Sequence, residues 1–520
     1  MNILMVASEN DALPGGKVGG IGDVIRDIPP ALGDQGHQVQ VITPGYGLFS
    51  QLPGATLQGS VQVPFASKTE TINLFRVPAK NTHENVRIWV IEHPLFSVGG
   101  IGSIYCNDPS NRPYATDATK FALFCSAVCQ AIANDHFGTL DVLHLHDWHA
   151  AIVALLLAYE PQYHTLQNIR SVFTVHNLAL QGIRPLEGDE SSLQSWFPQL
   201  RYDHEPIHDP RVVHCVNLMR TGINLCDKVH TVSPTYAQEI LLPSNMDQGY
   251  FGGEGLEKDL KLAADNGRLH GILNGCEYPS RRYTQVPLAE LLVQSEKELL
   301  HWIAATVTVR SAHLIALHNL NRWLGSPSDK AFFVLTSVGR VTDQKVRILK
   351  QEMTNGQSAL EHLLDILGDD GIFLMLGSGD SELETFLTKV AAGKPNFIFL
   401  NGYSASLADL FYESGDLFLM PSSFEPCGIS QMLAMRAGQP CLVHGVGGLC
   451  DTVKDNENGF VFTGNSLSDQ AGSMLECFKT SVELHDTRIE QWQQISTQAA
   501  KERFSWSDVA KKYVSSLYTG

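Results

Sequence analysis

The 520-residue chain is poor in positive charge: 37 Lys and Arg face 55 Asp and Glu, a net charge of −18. Such an excess disfavours general binding to nucleic acid or to an anionic membrane, so any anionic ligand must meet a local basic cluster that opposes the overall field. Long apolar runs are missing as well. The longest, Ala150 to Tyr159, is about half of a bilayer span. The opening residues, MNILMVAS, lack a basic leader and a small-residue cleavage site, which predicts no secretory leader. Ten cysteines are scattered with no CxxC pair. That usage predicts reduced, mostly buried thiols and a cytoplasmic location rather than a disulfide framework. Cys125 and Cys129, at helical spacing in FALFCSAVCQAIA, read as core residues.

Two common nucleotide cradles are absent too. GGKVGGIGD, residues 15–23, resembles a Walker A loop only superficially, because Asp11 and Val18 stand where a glycine and a Ser or Thr are required. Its glycines, Gly19, Gly20 and Gly22, do not give G-x-G-x-x-G. LGSGDSE supplies Gly377 and Gly379 but has Glu382 at the third position, which argues against a nicotinamide site.

What remains is ordinary in bulk, 43% hydrophobic and 18% charged, and too long for one core. Short β-rich runs alternate with helical segments: NILMVAS, QVQVITP, VRIWVIEHP, LDVLHLHD, RSVFTVHN and DKVHTVSP in a first series. KAFFVLTSVGR, GIFLMLGSGD, NFIFLNGY, DLFLMPSS and QPCLVHGVGG make a second. The pattern predicts an α/β protein of two Rossmann-like, doubly wound domains with the ligand in an interdomain cleft. The expected boundaries are 1–278, a helical connection 279–328 with a hinge at GSPSD, 329–490, and a closing segment 491–520.

Six stretches carry chemistry, each with a plain alternative. The glycine loop opens a helix at Asp23; it is either a turn or an anion nest to which Lys17 adds charge. In HLHDWHA, His144 and His146 share a strand face, but no second ligand cluster supports a metal. Asp147 and Trp148 then recognise a hydroxylated ligand, or Asp147 merely caps a helix. VFTVHNLALQG sets His176 and Asn177 at the same sheet edge, as structure or as site. SVGRVTDQK sets Arg340 and Lys345 on a strand-to-helix loop, where two cations either neutralise a diphosphate or are solvated. In MPSSFEPCGIS, Glu425 precedes Pro426 at a helix opening, where the dipole favours an ionised carboxylate able to accept from sugar hydroxyls. GVGGLCD offers the amides of Gly447, Gly448 and Leu449 as a second anion nest.

Taken in order, these motifs resemble those of the bacterial glycogen synthases and plant starch synthases, retaining glucosyltransferases of the GT-B fold. KVGGIGDV, LHDWHA, FTVHNLALQG, TVSPTYAQEI, GILNGCE, GRVTDQK, LGSGD, NGYSASLADLFYESGDLFLMPSSFEPCGISQ and GGLCDTV carry the likeness over most of the chain. FSWSDVAKKYVSSLY is similar to the family's closing helix, which crosses back onto the first domain. The resemblance implies transfer of glucose from ADP-glucose to the non-reducing end of an α-1,4-glucan, without a cofactor or metal. It implies that Arg340 and Lys345 hold the diphosphate, and that Lys17 with Gly19 and Gly20 approaches it. Gly447, Gly448 and Leu449 would give amides, Glu425 would hold glucose hydroxyls, and Tyr403 would stack on the base. Asp147, His176 and Asn274 would lie near sugar and acceptor, His176 acting through its carbonyl. Asp23, Cys427 and Gly428 fall in the same donor-binding motifs. The sequence also departs from the family at Leu180, Val346, Ser423, Glu277 and His444-Gly445-Val446. Those departures keep open a divergent GT-B enzyme with another nucleotide sugar or a small acceptor, and a non-catalytic binding protein.

Overall fold

Asn2–Val6 is an apolar strand buried almost throughout, as the centre of a parallel sheet demands. In the computed structural model, which describes residues 1–279, 286–325 and 332–519, it is the fifth of nine strands. The order is Leu269–Gly271, Lys228–Thr231, Arg170–Val175, Val142–His146, Asn2–Val6, Gln38–Pro44, Val86–Glu92, Lys68–Val77 and Thr56–Phe65. The first seven run parallel. The last two form an antiparallel hairpin outside the expected series. Its strands alternate buried and exposed residues, as a one-sided edge should. Its turn is Ala66–Ser67, both at left-handed φ (49° and 62°), so no Asn-Gly signal marks it in the sequence.

This sheet belongs to a unit made of Met1–Ser244, Gly252–Asn274 and Trp506–Gly520. The chain leaves Asn2–Val6 toward one edge and returns for Val142–His146 on its other side. The topological switch point, where open α/β sheets bind ligands, therefore lies between these strands. The closing helix Trp506–Tyr513 packs on this unit. Trp506, Val509, Tyr513, Leu517 and Tyr518 join one apolar cluster with Ile21, Val24 and Ile28 of the helix Gly20–Gly33.

The other unit comprises Asn245–Phe251 and Gly275–Ser505. Its six parallel strands run Phe397–Leu400, Gly371–Leu376, Phe333–Val338, Leu417–Met420, Cys441–His444 and Gly459–Phe462. Here the switch point falls between Phe333–Val338 and Leu417–Met420. Phe373 stacks on Phe397 at 5.1 Å inside the core. Helices Leu288–Ala305 and Ser311–Leu324, the expected connection, pack in this unit through Leu291, Leu299, Ala316 and Leu320. The helix Ile489–Lys501 also belongs here, and the chain joins the first unit again only from Trp506. Most of the expected GSPSD hinge, 326–329, lies outside the described residues. No described helix is long and apolar enough to cross a membrane.

Candidate active site

In the first unit the glycine loop follows the central strand. Two of its amides, those of Val18 and Gly19, already hold a group of the protein itself. Val18 N and Gly19 N donate to Glu9 Oε2 at 2.8 and 2.6 Å. Glu9 is buried, and its other oxygen accepts from the Tyr105 hydroxyl at 2.8 Å. The protein's own carboxylate thus takes two amides of the nest. The contact restricts the glycines only loosely: a Cβ on Gly19 would lie at an ordinary 3.4 Å from a Glu9 oxygen, one on Gly22 would lie 3.2 Å from Lys17 carbons and 3.3 Å from a Glu9 oxygen, and one on Gly20 would meet nothing within 4 Å. Lys17 Nζ pairs with Asp23 at 2.6 Å and stays partly exposed, so Asp23 orients the one loop lysine.

At the switch point Asp147 ends the strand Val142–His146 in a left-handed conformation (φ 55°). It does not cap a helix. The following helix, Ala151–Tyr159, is capped at Ala150 without a side-chain bond, and Asp147 Oδ1 instead accepts from the His176 amide at 2.7 Å. A non-glycine residue at positive φ stores strain that its surroundings must hold. Burial pushes the Asp147 carboxyl up to about 8, against the opposing pull of the His176 and Asn177 amides. His176 is buried as well; burial drives its imidazole down to about 3, so it is neutral. Trp148 Nε1, His149 Nδ1, Asn274 Oδ1 and Asn10 Nδ2 are buried with no partner among the described residues. Such groups are costly unless a ligand completes them. Gly182 (φ 63°) lies against Trp148, where a Cβ would come within 2.4 Å of the ring.

In the second unit Lys345, on the helix Asp343–Lys350, forms an ion pair with Glu425, and Ser422 Oγ donates to the same carboxylate oxygen at 3.0 Å. This pair spans the switch point. The backbone also crosses it, as Ser423 N donates to Gln344 O at 2.8 Å. Glu425 does not open a helix, since the next one is Ser430–Arg436; its carboxylate faces Lys345 rather than a helix N-terminus. Arg340, two residues past the strand, is exposed and bonded to no described residue.

In the second expected nest, too, two amides are taken. Gly448 N donates to Glu425 O at 3.0 Å and Leu449 N to Val446 O at 3.1 Å. Gly448 is required by packing, because a Cβ there would lie 2.3 Å from Cys427 O. Cys427 is buried, and Gly428 has φ 75°. Tyr403, 71% exposed, follows the edge strand Phe397–Leu400. Of the departures, His444 is buried and neutral, its Nδ1 donating to Ser422 O at 2.9 Å, so it supplies no charge. Ser423 Oγ is buried without a partner among the described residues.

Each unit therefore gathers candidate residues at the switch point of a Rossmann-like sheet, and this defines the GT-B class of glycosyltransferase. A starch synthase catalytic domain model matches residues 2–262, and a glycosyl transferases group 1 model matches residues 330–494. Glycogen synthases of Bacillus cereus and Streptococcus agalactiae are 32% and 31% identical, each over 99% of this chain and 98% of that protein. A solved structure of the catalytic domain of starch synthase IV from Arabidopsis thaliana, bound to ADP and acarbose, covers 100% of this chain and 98% of its own, at 26% identity and TM-score 0.74. Sucrose-phosphate synthase from Thermosynechococcus elongatus shares the fold (15% identity, TM-score 0.53). The chain belongs to the glycogen and starch synthase family and is a glycosyltransferase.

Proposed function

We propose that the chain transfers glucose from ADP-glucose to the non-reducing end of an α-1,4-glucan with retention of the α anomer. The full-length likeness to glycogen synthases supports this over a divergent enzyme with a small acceptor. The observation that carries the chemistry is the Lys345–Glu425 pair across the switch point, with the exposed cation Arg340 on the loop that leads into the Lys345 helix. Donor cleavage leaves negative charge on the nucleotide diphosphate, and fixed cations stabilise it without reorganising. Lys345 can exchange its carboxylate for a phosphate oxygen, which frees Glu425 to accept from glucose hydroxyls.

In the first unit Lys17, held by Asp23, is the cation offered to donor phosphate. Asp147, the His176 backbone and Asn274 are the polar groups offered to sugar and acceptor. Tyr403 is the exposed ring offered to the base. Cys427 and Gly428 shape the loop behind Glu425. The leaving phosphate can take the acceptor proton on the same face, so retention needs no protein nucleophile. Ten free cysteines support a cytoplasmic location.

A donor panel with glycogen as acceptor tests the proposal, with nucleotide release and chain growth followed separately. Chain growth with ADP-glucose is expected. Turnover only with another nucleotide sugar, or only on a small sugar, would overturn it.

A further inference from the structure

Beneath the first unit's candidate residues the core is unexpectedly polar. His144, Thr174 and His230 are all 0% exposed, and Tyr518, near the chain's end, is 4% exposed. They form one row of contacts. Tyr518 Oη lies 2.8 Å from His144 Nδ1, His144 Nε2 lies 2.6 Å from Thr174 Oγ1, and Thr174 Oγ1 lies 2.9 Å from His230 Nδ1. His230 Nε2 then lies 3.3 Å from the backbone oxygen of Ile272.

The direction of every proton follows from the last contact. A carbonyl only accepts, so His230 carries its hydrogen on Nε2. Burial keeps that ring neutral, leaving Nδ1 as an acceptor. The Thr174 hydroxyl must then donate to His230. It accepts from His144 Nε2–H, which leaves His144 Nδ1 to accept from Tyr518. The row is a one-way chain with a single tautomer at each ring.

Its placement matters more than its polarity. His144 lies three residues before Asp147, Thr174 two before His176, and Ile272 two before Asn274. Thr174 O also accepts from Asp147 N at 2.9 Å. The row therefore crosslinks, through side chains and at its end the Ile272 backbone oxygen, the carboxyl ends of the strands from which all three candidate residues project. His146 adds a branch, stacking on His144 at 4.4 Å and reaching His176 Nε2 at 3.0 Å. An apolar core would hold these strands together at lower desolvation cost, but without a fixed hydrogen-bond register.

We propose that Tyr518 is a positioning residue: its hydroxyl completes the row by donating to His144 Nδ1 and, with Thr174 and His230, holds the register of the strand ends that present Asp147, His176 and Asn274. The proposal rests on the glucosyltransfer reading, and its test includes a readout that does not.

The full chain is compared with Tyr518→Phe, Thr174→Val and Thr174→Ser. Histidine 15N resonances are expected to show Nε2–H tautomers at His144 and His230, with the His144 signature altered in Tyr518→Phe. Misplaced reacting groups cost up to about 100-fold, so kcat should fall about tenfold or more in Tyr518→Phe and Thr174→Val while the donor KM changes less than about twofold. Thr174→Ser, which keeps the hydroxyl, should restore the rate. A folded Tyr518→Phe with the wild-type rate would overturn the proposal, as would Thr174→Ser failing alongside Thr174→Val. If Tyr518→Phe does not fold, the Thr174 pair decides. If the wild-type protein transfers no glucose, the functional reading fails, and an Nδ1–H tautomer at His144 would separately sink the hydrogen-bond row.

Discussion

Arg340 and Lys345 have the same formal charge but different commitments. Lys345 is spoken for by Glu425, whereas Arg340 is bonded to no described residue. If Arg340 serves the diphosphate as proposed, Arg340→Ala removes a cation with no described partner in the protein, and kcat should fall roughly 10²–10³-fold with the thermal midpoint unchanged. A rate within a few-fold of wild type would remove the diphosphate role. Asp147 makes a different prediction. Its carboxyl, pushed up to about 8 by burial, holds its proton at neutral pH and can donate to a sugar hydroxyl. As pH rises through about 8 the proton is lost and with it that donor. kcat/KM should decline on that limb in wild type, and Asp147→Asn, which donates at every pH, should lose the limb while running at a lower rate. The same alkaline decline in Asp147→Asn would assign it to another group.

At the level of loops and helices, the two glycine-rich motifs look alike in sequence and differ in cause. In the second unit Gly448 lets a helix start approach the Cys427 carbonyl. Gly448→Ala should cost about 1–3 kcal/mol of stability through overpacking, read from the urea midpoint of the full chain. Gly20→Ala, with open space around the added carbon, should cost nothing measurable. Both loops were legible as loops at strand ends, because glycine clusters between an apolar run and a helical pattern mark such turns. Their occupants were not. Glu9 lies nine residues before the amide of Val18 that it holds, and Lys345 lies 80 residues from Glu425. Nothing in periodicity pairs residues so far apart. The parallel strands were readable for the reason the Thr56–Phe65 hairpin was not. Strands buried on both faces are near-continuous apolar runs, whereas an edge hairpin with an Ala-Ser turn has neither an apolar run nor a turn signature. Among the candidate residues, Arg340, Asp147 and His176 stood out because they lie within two residues of the end of such runs, and Lys345 and Glu425 because they follow in the next loop or helix. Tyr518 and His230 were missed because a polar group inside an apolar strand or helix looks like noise until its partner is known.

Across the whole first unit, these polar core residues couple stability to acidity. His144, His146, His149, His176 and His230 are buried, and burial lowers the pKa of each, to about 3 for His149, His176 and His230. Below the ordinary histidine value of 6.5 the unfolded chain takes up protons that the folded unit refuses, so stability falls as pH falls. Asp147 works in the opposite sense: its folded carboxyl keeps a proton up to about 8, and it offsets about one histidine. The net is about four protons, a slope approaching about 5.4 kcal/mol per pH unit once the unfolded histidines are fully charged. A domain has only about 5–15 kcal/mol to lose, so the first unit should unfold cooperatively between about pH 6 and pH 4, before its carboxylates titrate in the unfolded chain. Urea midpoints measured at half-unit steps from pH 7.5 to 4.5 should be nearly level above about pH 7 and drop steeply below about pH 6.5. Replacing His230, the last ring of the row, with Gln removes one titrating group and should make that drop shallower by about one proton, even where the variant is less stable at neutral pH. Midpoints that stay level down to pH 4.5 would mean that these rings are charged in the folded protein, which the acceptor role of His230 Nδ1 toward Thr174 forbids.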